Sequence, residues 1–192
     1  MPRDASDTVR RILDAAVGEF ARHGIAGARV DRIAATAQIN KAQLYAHVGN
    51  KDALFDAAFT HHVDALVDAV PLTAADLPGY AVRLYDAYVE DPALMRLVTW
   101  ARLERSPRGD LFSDTDHDDS KLDAIRAAQT AGVLDRGYDP VDLWALLVSM
   151  AATWAQGAVM TTATRDDDAA VHDRRRAALA RAVRQAFVTQ PT

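Results

Sequence analysis

Cysteine is absent from all 192 residues. That removes disulfides, thiolate metal sites and cysteine nucleophiles at once, and it suits the reducing cytoplasm in which the chain is expected to work. The opening MPRDASDTVRR carries charges and lacks the apolar stretch of a secretory signal. Hairpin signals, internal repeats and low-complexity linkers are missing too, so helix is the only regular structure the chain advertises. Catalytic signatures are equally scarce: there is no Walker glycine loop, no HExxH and no nucleophile elbow. His61 and His62 are adjacent and point about 100° apart on a helix, which does not make a chelating pair. Asp114, Asp116 and Asp118 imitate a calcium loop, but Asp119 stands where glycine is required and Ile125 where a bidentate glutamate is required. No enzyme activity, catalytic residue, metal or cofactor is expected.

What is present is a foldable helical chain. Hydrophobic residues make up 49% and charged residues 26%, the balance of a globular protein with a real core. Leu143 to Thr164 contains no charged residue and has about the length of a membrane span. Ser149, Thr153, Gln156, Gly157, Thr161 and Thr162 make it a poor lipid-facing surface, so it reads as a buried helix and no membrane partner is expected. The net charge of -5 hides a polarity. Residues 1–51 hold eight Lys/Arg against five Asp/Glu, a net of +3, and the rest fourteen against twenty-two, a net of -8. Screening confines exposed charges to a range of about 10 Å, so a basic end on an acidic body can still meet phosphate.

Apolar spacing and caps predict about nine helices. Val9, Ile12, Leu13, Ala16, Val17 and Phe20 share one face of a first helix that Gly24 ends. Val30, Ile33, Ala34 and Ala37 share a face of a second. Asn40 caps a third, Lys41 to Val48, and Asn50 a fourth, Lys51 to about Val70. Further helices are expected over about 76–90, 92–105, 119–131, 140–164 and 167–188, with Pro92 and Pro140 suited to first turns. The polar stretch from Ser106 to Asp119 is expected to be a mobile loop. The fold class is therefore all-α, with a boundary placed after residue 50: a reader domain over 1–50 and a larger helical domain over 51–192.

Two short helices joined by Gln38, Ile39 and Asn40, and braced by a longer first helix, can set the last helix into a major groove. Leu44 and Val48 anchor that helix and leave Lys41, Ala42, Gln43, Tyr45 and His47 outside. Lysine and glutamine suit guanine and adenine edges, alanine a thymine methyl, tyrosine and histidine phosphate oxygens. Lys51 adds a cation at a helix N-terminus. From helix spacing alone, an ordinary three-helix core is an equal alternative.

The stretch GARVDRIAATAQINKAQLYAHVGNKDALF, and LYAHVGNKDAL within it, resembles the TetR family of repressors. The resemblance implies that Tyr45, His47 and Lys51 contact phosphate of double-stranded operator DNA and that Lys41, Ala42 and Gln43 face the bases. Arg29 stands where that family has a hydroxyl residue capping the second helix, so it is expected to touch phosphate without capping. Gln38 stands where the family has glycine, so a left-handed conformation costing about 1 to 2 kcal/mol is expected there.

The larger domain supplies tyrosine, tryptophan and histidine, whose polar tips can satisfy a ligand while their rings line an apolar space. The resemblance implies a cavity for a small-molecule effector among the middle helices. Its candidate lining is Phe59, His62 and Leu66, then Tyr80, Leu84 and Tyr88, then Met95, Trp100 and Leu103, and finally Trp144 and Trp154. Glu90 and Glu104 nearby would admit a cationic ligand as well as a neutral aromatic one. The helix after Pro140 is apolar on two faces. The face richer in small residues, Val148, Ala151, Ala155 and Val159, is expected to pair with Leu179, Val183, Ala186 and Phe187 of the last helix in a homodimer. A core that buries everything within one chain is the alternative. The function expected is a ligand-released repressor of a palindromic operator. A same-fold regulator that activates or answers to a protein, and a helical ligand-binding protein without DNA binding, stand beside it.

Overall fold

The computed structural model describes residues 2–105, 117–156, 158 and 160–189. Among them the regular structure is nine α-helices and one short 3-10 turn, with no strand beyond an isolated bridge. The helices are α1 (Pro2–Gly27), α2 (Val30–Thr36), α3 (Lys41–Val48), α4 (Lys51–Ala69), α5 (Leu77–Glu90), α6 (Ala93–Arg105), α7 (His117–Thr130), α8 (Pro140–Ala151) and α9 (Ala169–Phe187). The loop expected from Ser106 lies, up to residue 116, outside the described residues. No described helix is long and apolar enough to cross a membrane.

The chain forms two compact units, Met1–Ala65 with Ala93–Leu111, and Leu66–Pro92 with Phe112–Thr192. The first therefore runs past the reader helices into α4 and takes in α6. Its core joins Ile12, Ala16 and Phe20 of α1 to Ile33, Leu44, Leu54, Phe55 and Leu97, all at most 2% exposed. Phe20 meets Phe55 edge-on at 5.2 Å between ring centres. α6 lies along α1. Gly24 breaks the helical path of α1 at φ 72°. A Cβ there would fall 2.9 Å from the Trp100 ring and 2.5 Å from Glu104 Oε1, so this glycine is needed both for its backbone and for the space it leaves to α6.

In the second unit α9 packs along α5, and α8 rests on both. Asp76 and Asp139 cap α5 and α8 through side chains that accept from Gly79 and Val141 N–H, and Pro78 and Pro140 occupy first turns. Leu134 bridges Val188, with Asp135 N–H donating to Phe187 O at 2.9 Å, so the α7–α8 connection is tied to the end of α9.

One long helix expected from Pro140 to Thr164 does not form. α8 ends at Ala151, and the chain turns back so that Ala163 N–H reaches Trp154 O at 2.7 Å. Absence of charge signalled neither continued helix nor burial here: among the described residues from 152 to 164 only Ala155 and Ala163 are buried, and Met160 is 92% exposed. Threonines at 153, 161, 162 and 164 lose side-chain freedom in a helix and offer the backbone competing hydroxyls.

Candidate nucleic-acid interface and sensing half

α2 ends in a Schellman turn: Ile39 N–H donates to Ala34 O at 3.0 Å and Gln38 N–H to Ala35 O at 3.2 Å. That closure needs a left-handed residue after Ala37, and Gln38 supplies it at φ 57°. α3 then starts with a reciprocal cap. Asn40 Oδ1 accepts from Gln43 N–H at 2.8 Å, and Gln43 Oε1 accepts from Asn40 N–H at 3.1 Å. Leu44 is fully buried and Val48 half-buried, while Lys41, Ala42, Gln43, Tyr45 and His47 are exposed. With about 100° per residue, the outward midline opposite Leu44 and Val48 runs through Ala42 and Ala46. Ala46, also exposed, is a position that sequence reading passed over, although two small residues there let the helix approach a groove closely.

The cations of this face are partly committed. Lys41 Nζ lies 3.0 Å from Asp31 Oδ1, whose hydrogen bond and charge raise the lysine's pKa. Lys51, half-buried at the start of α4, donates to Ala26 O at 2.9 Å and keeps its other ammonium hydrogens for a partner. The other side of the same residue is also held: Ala26 N–H donates to Glu104 Oε2 at 2.6 Å. Arg105, next on α6, bonds Asp52 and Asp56 of α4 and lies 4.6 Å over the Phe55 ring.

Arg29 makes no side-chain cap on α2, as expected, and its side chain is exposed. The cap comes instead from Glu19, ten residues back on α1. Its carboxylate accepts from Arg29 N–H at 2.8 Å and from Arg32 Nε and Nη2 at 2.9 and 2.5 Å. Burial pushes the Glu19 carboxyl up. The hydrogen bonds from Arg32 and Arg29 N–H, with the charges of Arg32 and His23, outweigh it and hold the group below its ordinary range.

The eleven residues expected to line a cavity fall on both compact units. Phe59, His62, Met95, Trp100 and Leu103 belong to the first. There Phe59 stacks on Phe55 at 6.0 Å, Trp100 sits over Gly24 with its indole N–H toward Ala21 O at 3.4 Å, and Leu103 is 68% exposed. Leu66, Tyr80, Leu84, Tyr88, Trp144 and Trp154 belong to the second. Tyr80, Leu84 and Tyr88 are buried on α5; Trp144 stacks on Tyr80 at 5.9 Å, with Lys121 5.0 Å over the indole. Burial raises the phenols of Tyr80 and Tyr88, the latter to about 12. Sequence reading missed a polar chain beside them. Trp154 meets Tyr85 edge-on at 5.8 Å; the Tyr85 hydroxyl lies 2.7 Å from His172 Nδ1, and His172 Nε2 lies 3.1 Å from Thr164 O. Arg175, buried beside Tyr85, pairs with Asp167. Among the described residues no cluster of His, Asp or Glu could hold a metal.

Residues 12–58 match the description "Bacterial regulatory proteins, tetR family", and residues 76–185 match "Tetracyclin repressor-like, C-terminal domain". Over 156 residues, 80% of each protein, the chain is 42% identical to the HTH-type transcriptional repressor SCO4008 of Streptomyces coelicolor. The chain belongs to the TetR family. Its members are transcription factors, not enzymes. A crystal structure of the transcriptional regulator SCO4942 of Streptomyces coelicolor, 42% identical, superposes with a TM-score of 0.75 over 95% of this chain and 99% of that one. The HTH-type transcriptional repressor NicS of Pseudomonas putida is 28% identical over 110 residues, 54% of this chain and 52% of that one.

Two expectations for this TetR-family regulator need correction. Leu179, Val183 and Phe187 are 3%, 0% and 1% exposed within the single chain, and Ala151 and Ala155 are buried as well. These residues have no surface left to give a partner, because the core of their own unit has taken the stripe. Val148 and Ala186 stay half-buried, and Val159 lies outside the described residues. The apolar surface left open on α8 is Val141 and Leu146, 54% and 46% exposed. The second correction concerns charge. Glu90 pairs with Arg165 at 2.9 Å and Glu104 serves Ala26 N–H, so neither carboxylate waits for a cationic ligand.

Proposed function

We propose that this protein is a transcriptional repressor that binds a palindromic operator as a homodimer and is released by a small neutral apolar or aromatic molecule. The observation that carries the reading is the outward face of α3. A left-handed turn and a reciprocal cap fix the helix, and its exposed side chains are those suited to bases and phosphates. The 42% identical relative, named a transcriptional repressor, supports the sign of regulation. Arg29, Tyr45, His47 and Lys51 are assigned to phosphate, and Lys41, Ala42 and Gln43 to the bases. Pairing is assigned to the open side of α8 and α9, centred on Val141 and Leu146 with the exposed Ala145, Ala178 and Ala182. The effector is assigned to the aromatic side chains of the second unit, Tyr80, Tyr88, Trp144 and Trp154, whose rings suit an aromatic molecule.

Fluorescence anisotropy with labelled DNA from upstream of the protein's own gene tests the reading. Affinity falls steeply with salt, and Lys51→Ala weakens all duplexes alike while reducing the salt slope by about one. Binding that ignores salt or sequence would refute the assignment. The effector arm uses the tryptophans: an inducer quenches or shifts their emission over the concentration range in which it releases DNA. Since it acts only through its preference between two states, a hundredfold release requires a preference of about 2.7 kcal/mol.

A further inference from the structure

Gln43 is half-occupied before any DNA arrives. Its carboxamide has two unlike ends, an oxygen that accepts and an NH2 that donates twice. The backbone N–H of Asn40 can meet only the oxygen, so the 3.1 Å contact decides which way the amide faces. Glutamine reads adenine with both ends at once, the oxygen taking N6–H while the NH2 gives to N7. That fork must lie in the plane of the base. With Oε1 turned back onto the first turn of α3, only the Nε2 hydrogens remain to be presented outward. Gln43 is exposed and flanks the low midline of Ala42 and Ala46, with the exposed Tyr45 on the opposite flank, and Lys41 in the first turn is tethered to Asp31.

We propose that Gln43 is a donor-only specificity residue. It prefers a base whose major-groove hydrogen-bonding groups are acceptors only, guanine through N7 and O6 or thymine through O4, and it does not select adenine, whose N7 acceptor stands beside the N6 donor, through the two-bond fork. Cytosine, which offers only its N4 donor there, is rejected. The inference rests on the reading of α3 as the DNA-contacting helix.

The test uses the full-length protein and an operator selected from random duplexes. Gln43→Glu is the informative variant, because a carboxylate still accepts from Asn40 N–H and keeps the reciprocal cap but has no hydrogen to give. Its melting temperature is expected to stay at the wild-type value. It should bind the wild-type operator about tenfold more weakly and turn its preference at one symmetric position from guanine or thymine to cytosine. Replacing the selected base by an analogue without the acceptor, such as 7-deazaguanine, should weaken the wild type and leave Gln43→Glu unchanged. Gln43→Ala should lose its side-chain half of the reciprocal cap, the bond from Asn40 N–H, together with the preference. The inference is overturned if the wild type selects adenine at that position and loses affinity both with 7-deazaadenine and with purine lacking the N6 amino group. It is overturned equally if Gln43→Glu keeps the wild-type preference. A wild-type protein that selects no sequence at all would instead remove the DNA-reading function on which the inference stands.

Discussion

The reading head and the second unit use polar groups in opposite ways. α2 and α3 have seven and eight residues, below the length at which a helix is stable by itself. Their apolar anchors are few, Val30, Ile33 and Ala34 on α2 and Leu44 on α3, and hydrogen bonds at their ends from Glu19, Asn40 and Gln43 add to them, as does Asn50 for the following helix, accepting from Ala53 N–H at 2.8 Å. α9 has nineteen residues and is held along its length by Leu179, Val183 and Phe187. Its polar chain through His172 and Arg175 lies within the packed side of the helix. Caps at helix ends supplement a short apolar anchor in one region, while a long packed stripe holds the other, so the two should fail differently.

The largest effect is expected from Phe187→Asp. An unpaired carboxylate at a site 1% exposed should cost about 4 kcal/mol or more, seen as a collapse of the urea midpoint. Leu146→Asp, at an open position, should leave that midpoint within about 0.5 kcal/mol and change the mass seen by light scattering. Equal behaviour of the two variants would erase the distinction between core stripe and pairing surface.

Glu19→Ala comes next, at about 2 kcal/mol, since it removes a helix cap and a two-point arginine contact together. This contribution also has a pH signature. The folded carboxyl sits below the ordinary unfolded value of about 4.3, so its stabilisation is complete above that value and drains away as pH falls through it toward the folded pKa. Urea midpoints taken from pH 6 to 3.5 should therefore fall less steeply in Glu19→Gln than in the wild type. Asp167, lowered by its hydrogen bonds from Arg175 and Thr164, slopes the same way and remains in that variant, so the flattening is partial. Tyr85→Phe should cost about 1.5 kcal/mol by leaving His172 Nδ1 without its partner, and operator affinity without effector should not change. The smallest change is a gain. Gln38→Gly relieves a left-handed side chain and should raise stability by about 0.5 to 1 kcal/mol, measurable as a small rise in melting temperature with α3 unmoved.

Much of the reading head was legible because its devices are local. Asn40, Asn50 and Gly24 each follow from residues within four positions, the left-handed conformation of Gln38 was implied by the family resemblance, and the structure carries all of them. Glu19 was not legible: nothing near it in the chain says that a carboxylate ten residues away will cap α2. The one hint was negative, a helix start at Arg29 with no side chain able to cap it. In the second unit, spacing correctly marked α9 as apolar on one side but could not say whether that side faced its own chain or another, since both bury the same residues. The uncharged stretch after Ala151 misled because a run without charge need be neither helical nor buried: Thr153, Met160, Thr161, Thr162 and Thr164 are exposed.

The backbone at Ala26, gripped at its N–H by Glu104 and at its C=O in the next peptide by Lys51, has a mechanical meaning. Glycines at 24 and 27 flank it, and on sequence grounds that is where a swivel would be placed. Instead the segment is a clamped joint with little backlash: sliding the last turn of α6 by one ångström either strips an N–H of its acceptor or pulls the peptide, and the Lys51 ammonium with it. Stiffness at this joint, more than flexibility, is what would let a displacement of α6 arrive at the start of α4 undiminished.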